Sequence, residues 1–342
     1  MRLKTIYLKK ERRNEQFRLS FFIALCFHSS QATGISHKNS EIRNQEKMLR
    51  INPKTTAPVD LYQYLTGAVA PRPIAFISTI DENGKSNLAP FSFFNAICPN
   101  PLTIGFSIAR RLRDNTDKDT YYNLIANKQC VVNVVSHDIV GQMSVTGLNF
   151  PRGTDEFEKS GLTPLASEMV RPFRVGESPV QMECKVEKII PIENDEGVVT
   201  SQHVICRVLL MHINENIINP NNHRIDPYKA DLVGRLGRFW YTRASGDSLF
   251  EIDRPERTIA VGYDGLPQSI KRSTVLTGNE IAHFAALEHA PTTEQIAEIK
   301  NDKRLQKALA GDNKQYNLHL LIKEALKSGE KSFAERVAWI EL

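Results

Sequence analysis

Short apolar and alternating runs dominate the first two thirds of the chain and predict β-strands. Residues 74–80 are rich in β-branched side chains, and residues 86–93 follow them after a short polar turn. Asn83-Gly84 in that turn supplies the positive φ angles that a tight hairpin requires, so the two runs predict paired strands. Pro90 donates no ladder hydrogen bond, which predicts an edge or a bulge in the second strand.

More strands than helices are predicted over the rest of this region. Four further strand-like runs lie at residues 102–108, 130–135, 180–192 and 203–213. Helical segments are short and lie at residues 60–65, 117–127 and 137–146. Many strands, few helices and frequent turn signals predict a mainly β fold, a closed β-barrel with flanking helices packed outside.

The pattern changes near Arg254. Residues 285–342 have helical periodicity, and Thr292 and Gln295 have the spacing of a capping box. We therefore predict a mostly helical C-terminal extension over residues 256–342. It should contain about three helices, packed on the barrel or on a partner subunit.

Composition narrows the class of protein. Hydrophobic residues make up 41% of the 342, which is enough for a substantial core. A net charge of +5 without a basic stripe argues against a nucleic-acid partner. No run approaches the roughly 20 apolar residues of a membrane helix. The five cysteines form no CxxC pair, which argues against a disulfide framework or a zinc site. Cys130, Cys184 and Cys206 lie in apolar or alternating runs and are predicted to be buried, reduced thiols.

The predicted helix at residues 117–127 offers a phosphate site at its start. Free N–H groups and the positive end of the helix dipole favour an anion there. Lys118 and Thr120 would add a charge and a hydroxyl. Thr116 and Asp119 also fit an ordinary capping box, so simple capping is the alternative.

The segment of residues 89–95 places polar side chains beside three phenylalanines. An isoalloxazine ring needs an apolar slot with donors aimed at its edges, and Ser92 and Asn95 are candidate donors. The alternative is a strand end whose phenylalanines belong to the core. Arg72, held between two prolines, is a candidate partner for a phosphate or carboxylate, with an ordinary surface arginine as the alternative.

With these residues in place, the chain resembles the flavin reductase-like family, whose members have the FMN-binding split-barrel fold. The resemblance spans about residues 51–255 and rests on RPIAFIST, NLAPFSFFN, KDTYYN, VVNVV, ESPVQMEC and GRLGRFWYTR, in that order. It implies a six-stranded Greek-key split barrel over residues 48–255. It also implies a homodimer with FMN in a groove near the dimer interface.

The resemblance assigns roles to particular residues. The segment of residues 87–95 would line the isoalloxazine, Lys118 to Thr120 would lie by the phosphate, and Ser78 and Thr79 would approach the ribityl chain or ring. The predicted cofactor-binding residues are Arg72, Ser78, Thr79, Asn87, Ala89, Phe91, Ser92, Phe93, Asn95, Lys118, Asp119 and Thr120. Neither a catalytic acid or base nor a metal ligand is predicted.

Two functions remain open at this point. The first is an FMN-dependent NAD(P)H oxidoreductase that moves a hydride from NADH or NADPH to flavin N5. Electrons would then pass to free flavin, oxygen or a partner such as a monooxygenase. The alternative is an FMN-binding electron-transfer protein of the flavoredoxin type, without NAD(P)H activity of its own. In that case the C-terminal helices would cover the flavin.

The N-terminal residues 1–47 differ from the rest. Residues 1–32 have the order of a secretory signal peptide: a basic start, an apolar run at 19–27 and small residues at a cleavage point. The alternative is that Met48 is the true start. Reduced cysteines and the chemistry above favour Met48 and a cytoplasmic protein, whereas a real signal would mean export.

Overall fold

The computed structural model describes residues 48–111, 114–252 and 259–342. The predicted signal or over-extended start at residues 1–47 lies outside them. The chain divides into two units after Leu61, and the sheet, the site and the C-terminal helices all belong to the second unit, Tyr62–Leu342. This division differs from the predicted domain boundary near residue 255, which stays a prediction.

A seven-stranded antiparallel sheet and two small two-stranded sheets make up the described strands. The strands are β1 (Ala75–Ile80), β2 (Ser86–Phe91), β3 (Phe94–Pro99), β4 (Leu102–Ala109), β5 (Gln129–Val134), β6 (Pro164–Leu165), β7 (Arg174–Val175), β8 (Val180–Glu193), β9 (Val199–Ile213), β10 (Leu232–Arg235) and β11 (Tyr241–Ala244). The large sheet has the order β2-β1-β5-β8-β9-β4-β3.

Chain connectivity closes this sheet into a barrel. Strands β2 and β3 are its two edges, yet only Ser92 and Phe93 separate them. Three Cα-to-Cα steps reach at most roughly 11 Å, so the two edges must come together. The rings of Phe91 and Phe106 meet across the closure, with 6.1 Å between their centroids. The predicted mainly β barrel is confirmed.

The strand count and one turn differ from the prediction. The run at residues 86–93 ends at Phe91, and the chain turns into the additional strand β3, which gives seven strands instead of six. The hairpin between β1 and β2 is confirmed, and Pro90 lies in an edge strand as predicted. Gly84 has a φ of 82°, but Asn83 does not have a positive φ. Instead, Asp81 Oδ1 accepts the N–H groups of Asn83 and Lys85 and so shapes the turn.

The helices flank the barrel or follow it. They are α1 (Pro58–Ala68), α2 (Asp119–Asn127), α3 (Val140–Thr146), α4 (Glu156–Ser160), α5 (Pro227–Ala230), α6 (Gln268–Lys271), α7 (Gly278–Ala285), α8 (Thr293–Glu298), α9 (Lys303–Ala310), α10 (Lys314–Lys327) and α11 (Lys331–Ala338). Among the described helices, none is long and apolar enough to cross a membrane.

Strand β1 is buried on both faces and joins two hydrophobic clusters. Ala75 and Ile77 face the barrel interior, where Phe106 lies in the same cluster. Phe76 points to the opposite face and packs with Phe157 of α4. A strand covered on both faces has a continuous apolar sequence rather than an alternating one, as residues 74–80 do.

The predicted burial of Cys130, Cys184 and Cys206 as free thiols is confirmed.

The C-terminal helices have a hydrophobic core of their own. Its buried members all lie between Leu266 and Ala338. The region contains six helices, α6 to α11, instead of about three, because N-cap side chains start new helices at Thr277, Thr292 and Asp302. The predicted capping box of Thr292 and Gln295 is confirmed.

A buried carboxylate fixes the segment before β7 to the barrel. Glu183 of β8 is fully buried, and its carboxylate accepts the backbone N–H groups of Glu168, Met169 and Val170. The His212 ring nitrogen Nε2 lies 2.7 Å from Glu183 Oε1. The His212 side chain is therefore oriented by this carboxylate.

Candidate functional site

A cavity of 590 Å³ lies beside the edge strand β2. Helix α2 and the residues before it, helices α3 and α4, and the β10–β11 hairpin supply its other walls. The volume lies within the range of about 300–1,000 Å³ that is typical of pockets for small molecules and cofactors. The cavity is therefore the leading candidate for the functional site.

One wall of the cavity carries a buried polar network. Asn87 Nδ2 donates to Thr120 Oγ1 at 3.1 Å and to Thr79 Oγ1 at 3.3 Å. Asn123 Nδ2 donates to the same Thr79 oxygen at 3.1 Å. All four side chains are buried, so the network fixes the orientation of Asn87 and Thr120, the two members that line the cavity.

A cation that has no carboxylate partner among the described residues lies at the start of α2. Lys118 is the N-cap residue, and no side chain caps the helix. Its ammonium lies 5.1 Å from the centre of the Phe91 ring, and no described residue offers it a carboxylate or a hydrogen bond. Burial lowers the pKa of Lys118, and nearby Arg111 lowers it further. Open N–H groups and an ammonium at a helix N-terminus are features that favour an anion, so the phosphate site stays a prediction.

The capping alternative for this segment is wrong. Thr116 Oγ1 donates to Asp114 Oδ1 at 2.6 Å and lies outside the helix, because α2 begins two residues later than the capping box required. Arg111, which also lines the cavity, donates to Thr116 Oγ1 and to the backbone oxygen of Asp117. These bonds position Arg111 and leave its charge without a carboxylate partner among the described residues.

Two carboxyl groups line the cavity as well. Asp119 lies in the first turn of α2, and Glu156 begins α4. Glu156 Oε2 accepts the backbone N–H of Leu88 at 2.9 Å. Burial raises the pKa of Glu156, and the neighbouring carboxylates Asp119 and Asp155 raise it further.

The β10–β11 hairpin completes the cavity with residues from far along the chain. Backbone hydrogen bonds between Arg72 and Arg235, 2.8 and 2.9 Å long, attach it to the barrel. Arg235, Phe239 and Tyr241 reach the cavity, and the Arg235 guanidinium lies 4.4 Å from the centre of the Tyr241 ring. Phe239 is 90% exposed and Trp240 is 73% exposed, so this side of the cavity presents aromatic rings to solvent.

The cavity brings together seven of the twelve residues predicted to bind a cofactor. They are Asn87, Ala89, Phe91, Ser92, Lys118, Asp119 and Thr120. The other five do not line it: Arg72, Ser78, Thr79, Phe93 and Asn95. Their contact with a cofactor stays a prediction, as do the individual roles of the seven.

The five outlying residues have other contacts. Arg72 is buried, and its guanidinium donates to the backbone oxygens of Thr66, Val69 and Leu236, all within 3.0 Å. It therefore anchors the β10–β11 hairpin and is not the surface arginine of the alternative. Phe93 packs beneath the Arg72 guanidinium, and Thr79 supports Asn87 from below the cavity wall. Ser78 is fully buried, whereas Asn95 is exposed and accepts the N–H of Ala96.

Several cavity residues were not predicted from the sequence. They are Arg111, Glu156, Arg235, Phe239, Tyr241 and the segment of residues 143–150. The motif GRLGRFWYTR carries the three hairpin residues, but its pattern gives no sign of which side chains face the cavity. Asp155, two residues before the apolar Phe157, is a helix-start signal, and it could have located Glu156 but not its burial.

A separate polar cluster lies near the hairpin base. The ligand atoms of His137, Asp138 and Asp231 lie within 4.8 Å of one another. Arg243 donates to both carboxylate oxygens of Asp231 at 2.7 and 2.6 Å, and it lowers the pKa of that carboxyl group. Because both oxygens already bind a cation, we assign no metal to this cluster.

Comparisons with known proteins identify the class of this fold. Residues 67–226 match the family described as the flavin reductase like domain. An uncharacterised protein of Aquifex aeolicus is 38% identical over 201 residues, which cover 58% of this chain and 97% of the relative. Nitrilotriacetate monooxygenase component B from Bacillus cereus is 32% identical, with a TM-score of 0.57 over 60% of this chain and 99% of that chain.

A third comparison concerns the fold alone. A flavin reductase with a split barrel domain from Shewanella frigidimarina is 21% identical, with a TM-score of 0.50 over 59% of this chain and 96% of that chain. The barrel thus has the split-barrel fold. The chain belongs to the flavin reductase-like family, which confirms the resemblance drawn from its six motifs. The β10–β11 hairpin lies beyond the matched residues.

Proposed function

We propose that this protein is an FMN-dependent NAD(P)H oxidoreductase. The observation that carries the proposal is the uncapped start of α2 inside a cavity of cofactor size, where no carboxylate of the described residues pairs with the Lys118 ammonium. A terminal phosphate satisfies the open N–H groups and neutralises this ammonium. FMN ends in such a phosphate, which is why we favour FMN as the bound flavin.

The residues of the cavity fit the rest of the flavin. Phe91, Leu148 and Phe150 offer apolar walls to a planar ring, and Asn87 and Ser92 offer polar groups for its edges. When bound, the flavin would accept a hydride from the nicotinamide at N5 and pass electrons onward. The chain's own task is to hold the ring, exclude water and fix the approach of the donor.

The family and the exposed surface support a proposal for the electron acceptor and the assembly. One relative is a component of a monooxygenase, and we propose a partner monooxygenase, free flavin or oxygen as the acceptor. Exposed Phe239 and Trp240 beside Arg238 have the composition of an interface centre, which supports a homodimer formed next to the cavity. Free buried thiols are typical of a reducing compartment, and we propose a cytoplasmic location.

The visible absorption spectrum of the purified, FMN-loaded protein tests the proposed function. Under anaerobic conditions, NADH or NADPH is expected to bleach the flavin band. The nucleotide that bleaches the band at the higher rate identifies the physiological donor. A band that only dithionite bleaches would contradict NAD(P)H activity and favour the electron-transfer alternative. Protein that retains no flavin after addition of FMN would contradict both.

Removal of residues 262–342 is expected to leave the rate of flavin reduction by NAD(P)H unchanged. Every described residue that lines the cavity lies between Tyr62 and Tyr241, and the C-terminal helices have a separate core. Stopped-flow reduction rates of the truncated and full-length chains provide the comparison, with circular dichroism to verify the barrel. A faster reduction after truncation would mean that these helices cover the flavin, as the electron-transfer alternative requires.

A further inference from the structure

Glu156 is a buried acid inside the cavity that hydride transfer from a nicotinamide does not require. It lines the cavity and is 8% exposed. Its Oε2 accepts the N–H of Leu88, whose two neighbours Asn87 and Ala89 also line the cavity. The carboxyl group is therefore fixed against the strand that forms the cavity wall.

Two carboxylates are the charged neighbours that raise the pKa of Glu156. Asp119 of α2 and Asp155 at the N-cap of α4 both act on it. Helix α3 and strand β2, which pack against α4, carry no titratable side chain. None of the cations that line the cavity, Arg111, Lys118 and Arg235, forms an ion pair with Glu156. Burial and these like charges favour the protonated carboxyl group. They outweigh the backbone N–H groups of Leu88 and Glu156, which favour the carboxylate, and the pKa of Glu156 is raised.

We propose that Glu156 is the proton donor for a further activity of this cavity, the reduction of a small organic acceptor with a polarised double bond. This inference rests on the proposed function, because the electrons come from a flavin reduced in the same cavity. Handing electrons to a metal complex requires no proton, whereas saturating a double bond does. A buried carboxyl group facing the cavity is the group that such a substrate needs.

The step balances in atoms and electrons. The carbon at one end of the double bond gains a hydride, which carries both electrons, from the reduced flavin. The O–H bond of Glu156 breaks, and its proton moves to the other end of the bond, directly or as that position becomes basic. The carboxylate that remains takes up a proton from water. In total, one reduced nicotinamide nucleotide and one proton are consumed for each double bond saturated.

The test distinguishes the role of Glu156 as a proton donor from its role as the hydrogen-bond acceptor of the Leu88 N–H. E156Q keeps an oxygen that can accept that N–H but has no acidic proton, and E158Q makes the same change at an exposed position of the same helix. Full-length, FMN-loaded protein is reduced with dithionite and mixed anaerobically with ketoisophorone, an enone, or with ferricyanide, which accepts electrons without protons. Flavin reoxidation is followed by stopped flow.

We expect E156Q to slow reoxidation by the enone about 10²- to 10⁴-fold, the usual contribution of a general acid. Reoxidation by ferricyanide should not change, and E158Q should match the wild type with both acceptors. The wild-type rate of reoxidation by the enone should fall as the pH rises through the pKa of Glu156.

A second measurement does not depend on activity. The carboxyl NMR spectrum of ¹³C-glutamate-labelled protein should contain one resonance that titrates above the ordinary glutamate range and is absent from E156Q.

Three results would overturn this inference. The first is that the enone reoxidises E156Q and wild type at equal rates. The second is that ferricyanide reoxidises the wild type but the enone does not. The third is that the Glu156 resonance titrates in the ordinary glutamate range. Failure of NADH and NADPH to reduce the flavin would overturn only the proposed function, because dithionite supplies the same reduced protein. Loss of FMN from the wild type would overturn both.

Discussion

Replacing Lys118 and Thr120 together by alanine is expected to weaken FMN binding by roughly 2–4 kcal/mol, the range for charged hydrogen bonds. The dissociation constant should therefore rise about 30- to 900-fold. Lys118→Ala removes the bare ammonium at the start of α2. Thr120→Ala removes a hydroxyl of the cavity wall and also the acceptor that orients Asn87.

Quenching of FMN fluorescence on binding measures the dissociation constant, and the titration should be repeated at high salt. Because most of the expected loss of affinity is electrostatic, the difference in affinity between wild type and double variant should become smaller as salt screens the cation. Lys188→Ala with Thr200→Ala makes the same chemical changes at exposed positions of β8 and β9 and should leave the affinity unchanged. Equal affinities of the wild type and a folded Lys118/Thr120 variant would place the phosphate elsewhere.

Glu183→Ala is expected to lower the free energy of unfolding by about 3–5 kcal/mol, the usual cost of removing one partner of a buried charge network. The substitution leaves the three backbone N–H groups at residues 168–170 without their acceptor, and it removes the carboxylate that lies 2.7 Å from His212 Nε2. Chemical denaturation of both proteins measures the difference.

Glu187→Ala is the matched control for this substitution. Glu187 lies on the same strand and pairs with Arg207 at 3.1 Å, but both side chains are exposed. Exposed pairs contribute at most about 1 kcal/mol, so this variant should unfold almost as the wild type does. Similar losses in the Glu183 and Glu187 variants would contradict the anchoring role of Glu183.

The Glu183 network also predicts the direction of a pH dependence. Burial alone would raise the pKa of Glu183, but the N–H groups of Glu168 and Met169 and the His212 ring outweigh it and lower the pKa. A depressed folded pKa gives stability that is fully present above the ordinary value of 4.5 and is lost as the pH falls through the lower folded value. The difference in the free energy of unfolding between wild type and Glu183→Ala should therefore become smaller in acid.

The barrel strands were predictable because they depend on local signals. The runs at residues 74–80 and 180–192 are long and either continuously apolar or alternating, and each became a strand. Strands β10 and β11 have four residues each, which is too short for a period to be read. Strand β3 was missed because only two residues separate it from β2, and neither is the glycine, proline or asparagine that marks a turn most strongly.

The site was predictable in part, for a related reason. The start of α2 and the polar residues of β2 lie in short motifs, and both line the cavity. Glu156 and Arg235 reach the same cavity only through tertiary packing, which no local pattern encodes. Arg72 illustrates the converse, because rigidity between two prolines did not reveal that backbone oxygens would take up its N–H groups.

The connectivity of the barrel has a consequence for the order in which the protein folds. Hairpins β1–β2, β3–β4 and β8–β9 join neighbours along the chain, whereas β4 must find β9 by pairs such as Ser107 with His203. Loop-closure entropy makes such distant pairings slow and late. The cavity needs β2 and the β10–β11 hairpin together, and this hairpin follows all seven strands of the large sheet along the chain. A flavin held in the cavity as we propose would therefore bind only after the whole barrel has been synthesised.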